Sequence, residues 1–305
     1  MSYGWLQPSH PDPKGERFRL LASVLRSALA VHTSALGVFW DFGSLHQHPK
    51  GGGCRSEGEE ALFKEGLRFL SPLFSHPRTV MLMITKFPAG YPAGYDLPAG
   101  ANTCEHQKRG WCFAESATAM LSSHLVLDIS DIDPDDTLRW TDRNHGLVFR
   151  CVAGRRAPLL PAQFASELEK KTFTNGKEDF PLVRRLYNDA FAAELSTARY
   201  LNFGGSVGGA KMWGDTEATQ LAAVLQSGAC PLLEEINLSA NVIGHGGSEA
   251  IANSIRSGKA PSLRIIQGAA GDFGETYERT ESFAGYYWMI DAALAELAIV
   301  RRGGR

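Results

Sequence analysis

The segment Leu233 to Gly244, Leu-Glu-Glu-Ile-Asn-Leu-Ser-Ala-Asn-Val-Ile-Gly, constrains the fold more than any other part of the chain. Leu233, Ile236 and Leu238 follow an L-x-x-L-x-L pattern, Asn241 comes three residues on, and Ile243-Gly244 closes it. Each position has a mechanical reason. The apolar residues alternate inward on a short strand, and an asparagine can hydrogen-bond backbone groups where the chain turns away. Ile251 to Ile255 then supplies an outer helix. A unit this small cannot bury its hydrophobic face alone, so it requires neighbours of the same kind.

Those neighbours are visible as a period. Ser227-Gly228, Pro231 and Leu233 recur 30 residues later as Ser257-Gly258, Pro261 and Leu263. The outer copies are worn: Leu201-Asn202-Phe203 runs into a glycine-rich insert, and Gly271 stands where the middle copy has Asn241. The pattern resembles the leucine-rich repeat of the ribonuclease-inhibitor type. That resemblance implies a short α/β solenoid over residues 197–275 that presents a surface to a protein partner. Three units are about the minimum for stability. A C-terminal capping helix over 276–305, carrying Phe283, Tyr286, Tyr287 and Trp288, is therefore expected to support them.

Upstream the pattern differs. To about residue 150, short apolar runs alternate with helical periodicity, which argues for a parallel sheet covered by helices. Leu36 to Trp40, Val80 to Thr85, Leu125 to Leu127 and Leu147 to Phe149 read as strands, the first ending at Asp41. Phe18 to Leu29, Glu59 to Phe74 and Trp111 to Leu121 read as helices with one apolar face. Gly51-Gly52-Gly53 is a flexible insert, and Pro88 to Gly100, with Pro-Ala-Gly three times, is a biased surface loop. A charged helical region, Phe164 to Leu195, follows Pro158 to Pro161. The expected organisation is an α/β domain over 1–157, a helical connector over 158–196, the repeats over 197–275 and the closing helix over 276–305.

Composition removes several classes. A formal net charge of -2 leaves no electrostatic footprint for nucleic acid or an anionic membrane. Five cysteines at irregular spacing suit a reducing, cytoplasmic setting better than a disulfide framework. Asp291 and Glu296 interrupt the most apolar long stretch, Phe283 to Val300, so it reads as a buried helix and not a membrane span.

Three islands carry the candidate chemistry: Ser2-Tyr3-Gly4-Trp5, then Phe39-Trp40-Asp41 through Ser44-Leu45-His46-Gln47, then Arg109-Gly110-Trp111-Cys112-Phe113-Ala114-Glu115. In this order they resemble the Toll/interleukin-1 receptor (TIR) superfamily and the related fungal heterokaryon-incompatibility domains. The resemblance covers the first half of the chain. It implies a flavodoxin-like parallel sheet, self-association, and, in catalytic members, cleavage of the bond between nicotinamide and ribose in NAD, which enters as substrate with no resident cofactor. It further implies Glu115 as the catalytic carboxylate, with Tyr3, Trp5, Asp41, Ser44 and Trp111 around the nucleotide. A fixed carboxylate can stabilise the oxocarbenium-like centre that forms when nicotinamide departs. The first strand of that fold has almost no room in a sequence beginning Met1-Ser2-Tyr3.

Other readings stand beside this one. Trp111 and Glu115 are one helical turn apart, and such residues serve equally as core and solvated surface in a non-enzymatic interaction scaffold. His46, His48, Cys54, Cys104, His106 and Cys112 lack the spacing of a structural zinc site. Gly204 to Lys211 fails the phosphate-loop pattern, because Ala210 separates Gly209 from Lys211 and Met212 follows. A Cys112 nucleophile has no second motif to supply its base.

Overall fold

The computed structural model describes residues 1–7, 9–49, 53–76, 78–122, 125–135, 139–142, 146–174, 176, 178–205, 212–268 and 289–296. It is a mixed α/β protein with two small parallel sheets. The chain divides into two compact units, one formed by 1–116, 125–152 and 167–186, the other by 117–124, 153–166 and 187–305.

The first unit is built on a three-stranded sheet in the order β1-β2-β3, with β1 at Ser2–Tyr3, β2 at Val80–Ile84 and β3 at Leu125–Asp128. All pairs are parallel, with Ser2 opposite Met83 and Met81 opposite Val126. Helices α1 (Glu16–Leu29), α2 (Asp41–Ser44), α3 (Glu57–Arg68) and α4 (Leu70–Ser75) fill the long crossover from β1 to β2. Helix α1 buries Leu20, Leu21, Val24 and Ala28 against Tyr3, Leu82, Leu127 and Ile129. Each fully buried leucine, isoleucine or valine among them contributes about 1.5–3 kcal/mol relative to exposure. Helix α3 opens with a capping box: the Glu59 N–H donates to Ser56 Oγ at 3.3 Å and the Ser56 N–H to the Glu59 carboxylate at 2.8 Å. The expected single helix from Glu59 to Phe74 breaks at Phe69, between α3 and α4.

Two expected strands are absent. Leu36 to Trp40 takes no regular structure, and Leu36 and Val38 are exposed. A strand there needs an edge to pair with, and β1 offers only two residues; the Met1 ammonium, just before β1, donates to the Phe39 carbonyl at 3.0 Å. Leu147 to Phe149 instead begins helix α6 (Leu147–Cys151). Leu147 and Cys151, four apart, are its buried residues, a helical spacing that a three-residue apolar run could not reveal.

The Pro-Ala-Gly loop is more ordered than its composition suggests. The N–H groups of Tyr91, Tyr95 and Ala101 donate to the carbonyls of Pro88, Pro92 and Pro98 at 3.1, 3.3 and 3.0 Å. The third residue of each turn is Gly90, Gly94 or Gly100, all at positive φ, which explains why the motif repeats with glycine in that place. Tyr91 stacks on Phe87 and donates its hydroxyl to the Leu6 carbonyl at 3.1 Å, tying the loop down over the N-terminal segment.

Helix α5 (Gly110–Ala119) precedes β3, and α7 (Pro161–Glu169) and α8 (Phe180–Thr197) follow α6. In the second unit β4 (Tyr200–Asn202), β5 (Glu235–Asn237) and β6 (Ile265–Gln267) form a parallel sheet in sequence order. Its register sets Tyr200, Glu235 and Ile265 in one row and Asn202, Asn237 and Gln267 in another. Helices α9 (Asp215–Gln226) and α10 (His245–Arg256) connect the strands and pack on one another. The 30-residue period appears as repeated geometry. Gly228 and Gly258 both end their helices at positive φ, and Leu233 and Leu263 are both buried. Asn241 is buried; its amide donates to the carbonyls of Phe203 and Leu238 at 2.8 and 2.9 Å, while its Oδ1 accepts from the Trp213 N–H at 2.8 Å. Residues 289–296 are helical. Gly271 of the third copy, the four aromatic residues expected at Phe283 to Trp288, and Gly51 and Gly52 lie outside the described residues.

Candidate functional site

The N-terminal strand is short, and buried cations hold the chain beyond it. Arg109 donates to the carbonyls of Asn102, Cys104 and Trp5 at 2.6, 2.8 and 3.1 Å, and Arg17 donates to the Gly4 carbonyl. Gly4 is required here, since a Cβ would lie 2.7 Å from Arg109 Nε. Burial lowers Arg17 to about 10, with Asp12 opposing the shift, so it stays charged at neutral pH.

This bracing places Tyr3 and Trp5 on Asp41, the first residue of α2. The Tyr3 hydroxyl donates to Asp41 Oδ1, the Trp5 indole N–H to Oδ2 at 2.9 Å, and the Phe42 N–H to Oδ1 at 2.7 Å. The Trp40 indole N–H donates in turn to the Tyr3 oxygen. Burial, reinforced by the Asp41 charge, drives the Tyr3 phenol far above its ordinary range, so it remains a proton donor. Trp5 meets Phe42 edge-on with ring centroids 5.7 Å apart, which continues the aromatic wall.

Glu115 lies on α5, partly buried. Burial is the largest influence on its carboxyl and raises it; the Ser2 hydroxyl pulls it down, the Asp41 charge raises it again and the Met1 ammonium lowers it, to about 8. Ser2 is fully buried, and its Oγ is 2.9 Å from Nε2 of the equally buried His106. Cys112 is also buried, and burial above all, with the Glu115 charge, pushes its thiol well above the usual range; it is poorly suited to act as a nucleophile.

The residues singled out in the sequence therefore divide. Tyr3, Trp5 and Asp41 are in direct contact, and Glu115 lies within electrostatic reach of Tyr3 and Asp41. Trp111 is turned to the Asp179 carboxylate, to which its indole N–H donates at 2.8 Å. Ser44 is exposed, and its Oγ accepts from the Trp40 backbone N–H at 3.0 Å, closing the turn of α2. Ser2, Trp40 and His106 join the cluster without having been expected there. Trp40 and Ser2 sit inside the quoted islands, but no sequence signal couples Ser2 to a histidine 104 residues away. Among the described residues no group of three or more His, Cys, Asp or Glu side chains is gathered as for a metal ion. No helix among them is long and apolar enough to cross a membrane. Residues 206–211 of the glycine-rich insert are outside the described set.

A cavity of about 210 Å³ opens elsewhere in this unit, between α1, α4, β2 and residues 36–39, with Val24, Leu73, Met81 and Trp140 among its walls. Glu115, Asp41, Tyr3 and Trp5 do not line it. In comparisons with known proteins, the chain matches no family model, no curated protein and no solved structure.

Proposed function

We propose that the first unit is a flavodoxin-like, TIR-like domain that cleaves NAD between nicotinamide and ribose, with Glu115 as the catalytic carboxylate. In the same reading the second unit is a short leucine-rich-repeat solenoid that binds a protein, and the protein works in the cytoplasm in signalling or defence. The observation that carries the enzymatic part is a partly buried carboxyl, perturbed to about 8, within electrostatic reach of Asp41 and Tyr3, with Trp5 bonded to that same Asp41.

The chemistry follows from charge. As the C1′–N1 bond breaks, its electron pair leaves with nicotinamide, which departs neutral, and the positive charge moves onto the ribose. An ionised Glu115 stabilises that charge and holds the ribose hydroxyls; water then adds to C1′ and gives up a proton. Trp5 and Trp40 offer flat surfaces for a nicotinamide or adenine ring. Because only the ionised form does this work, turnover rises with pH through about 8.

The second reading is a non-enzymatic scaffold whose α/β unit self-associates and whose repeats bind a partner. One observation favours it: the cavity of about 210 Å³ does not include Glu115. NAD consumption by purified protein, oligomerised and not, decides between them. The enzymatic reading expects turnover that Glu115→Ala reduces by at least about two orders of magnitude. Equal rates in both proteins, or no rate in either, leave the scaffold.

A further inference from the structure

Strand β2 has an open edge. The Ile129 N–H donates to the Met83 carbonyl at 2.9 Å, so Met83 and, two residues earlier, Met81 turn their backbone groups to β3. Val80, Leu82 and Ile84 turn theirs the other way, to the side of β1. Only the end of that edge is met, with Ser2 opposite Met83 and Tyr3 opposite Ile84. The Val80 N–H and carbonyl and the Leu82 N–H are left without a backbone partner among the described residues. An unpaired edge of this kind is a template for another strand.

The cavity of about 210 Å³ lies against this edge. Met81 and Leu82, whose side chains leave opposite faces of the strand, both line it, so it sits in the plane of the sheet and not on one face. Val24 and Leu25 of α1 and Leu73 and Phe74 of α4 wall it. Residues 36–39 border it as well, and so does Met1, which directly precedes β1. The space therefore continues the line of β1 back along Leu82 to Val80, in the position of a strand.

We propose that this slot binds an extended, apolar segment of a partner polypeptide, which adds to the edge of β2 as a strand in line with β1. The segment's backbone supplies the acceptor for the Leu82 N–H and the donor for the Val80 carbonyl, groups that a purely apolar small molecule would leave unpaired. Its side chains alternate between the α1 side and the α4 side, and both are apolar. The matching sequence is therefore a continuous run of valine or isoleucine and not an alternation with polar residues. A space of about 210 Å³ exceeds the roughly 150 Å³ that accommodates a benzene, which is room for one or two such side chains. His32 and Arg78 are among the walls and no carboxylate is, so a basic segment is disfavoured.

The inference is independent of Glu115 and of any turnover. Calorimetric titration of the full chain with the blocked peptide acetyl-Thr-Val-Ile-Val-Thr-amide gives saturable binding. Aspartate in place of the central isoleucine weakens it at least about tenfold, because a carboxylate is then buried without a partner. Amide exchange at saturating peptide locates the contact: the Leu82 N–H, which faces the slot, slows at least about tenfold more than the Met81 N–H, which faces β3. Val38→Asp sets a charge on the exposed border of the slot, where the fold does not depend on it, and weakens binding by about tenfold. The proposal is overturned by the absence of saturation at millimolar peptide, by equal binding of the two peptides, or by equal slowing at Leu82 and Met81. A dimer that forms without peptide and that Val38→Asp dissociates gives the slot to a second copy of the chain, and overturns it too.

Discussion

The Trp5 indole N–H donates to Asp41 Oδ2 at 2.9 Å, joining the segment after β1 to the start of α2 across 36 residues. The same carboxylate also accepts from the Tyr3 hydroxyl and the Phe42 N–H, so one side chain organises the whole aromatic wall. Asp41→Ala leaves those donors without their acceptor. The variant loses about 2–4 kcal/mol in urea unfolding, as for a broken buried network. Asp41→Asn keeps an acceptor for one or two of the donors and loses less. Because Asp41 raises Glu115, both changes also move the Glu115 titration downward from about 8. Unfolding midpoints together with the carboxyl titration separate the two effects.

Glu115 gives the protein an inverted acid dependence. Its folded value of about 8 lies above the ordinary carboxyl value of 4.5. Between those values the folded state holds a proton that the unfolded state has released, so stability falls as pH rises. The contribution is fully present below about 4.5, is lost progressively above it, and is gone above about 8. Glu115→Gln is neutral at every pH. Its melting temperature should therefore exceed that of the unaltered protein at pH 9 and show a flatter profile from pH 5 to pH 8. Parallel profiles for the two proteins would contradict the assignment of a raised Glu115.

The sequence disclosed those elements whose cause is local and hid those whose cause is a distant partner. Val80 to Thr85 and Leu125 to Leu127 are apolar runs buried on both faces, and each appears as a strand, β2 and β3. Leu36 to Trp40 has the same composition, but a strand also needs an open edge of matching length, and the two residues of β1 do not provide one. Leu233, Ile236, Leu238 and Asn241 are all buried and lie within nine residues of chain, close enough for a local pattern to single them out. In the candidate site, Tyr3, Trp5, Asp41 and Glu115 were associated only through a family resemblance; nothing in their spacing requires them to meet. Ser2 with His106, and Trp111 with Asp179, are pairings that only the folded chain discloses.

Close approach between the glycine-rich segment and the middle repeat fixes Gly205. A Cβ there would lie 2.0 Å from the Ala240 carbonyl oxygen, a backbone atom that cannot swing aside. Ala240 is itself at positive φ, so this turn has little freedom to adjust. Gly205→Ala costs on the order of 3 kcal/mol or more in denaturant unfolding, in the class of strongly destabilising backbone clashes. Gly37→Ala, where an added Cβ meets nothing within 4 Å, is the matched control and stays within about 0.5 kcal/mol of the parent. Equal effects from the two substitutions would remove the argument.

Asn241 offers the sharpest test of how the second unit is held together, because its three bonds have opposite polarity. The amide donates to Phe203 O and Leu238 O, and Oδ1 accepts from the Trp213 N–H. Asn241→Ala removes the acceptor of the buried Trp213 N–H and the donor to the Phe203 and Leu238 carbonyls, at a cost of about 3 kcal/mol. Asn241→Asp keeps the acceptor for Trp213 but sets a carboxylate against two carbonyl oxygens. In this buried setting the new carboxyl is raised in the folded state, since both burial and the facing oxygens disfavour its charge. A raised folded value means stability that is present at low pH and lost as pH rises, because the protonated acid can again donate one of the two bonds. Asn241→Asp therefore approaches the parent near pH 4 and falls below Asn241→Ala near pH 8, so their unfolding curves cross. Circular dichroism in urea at the two pH values reads this crossing; curves that keep the same order at both would show that the donor contacts to Phe203 and Leu238 carry little of the stability.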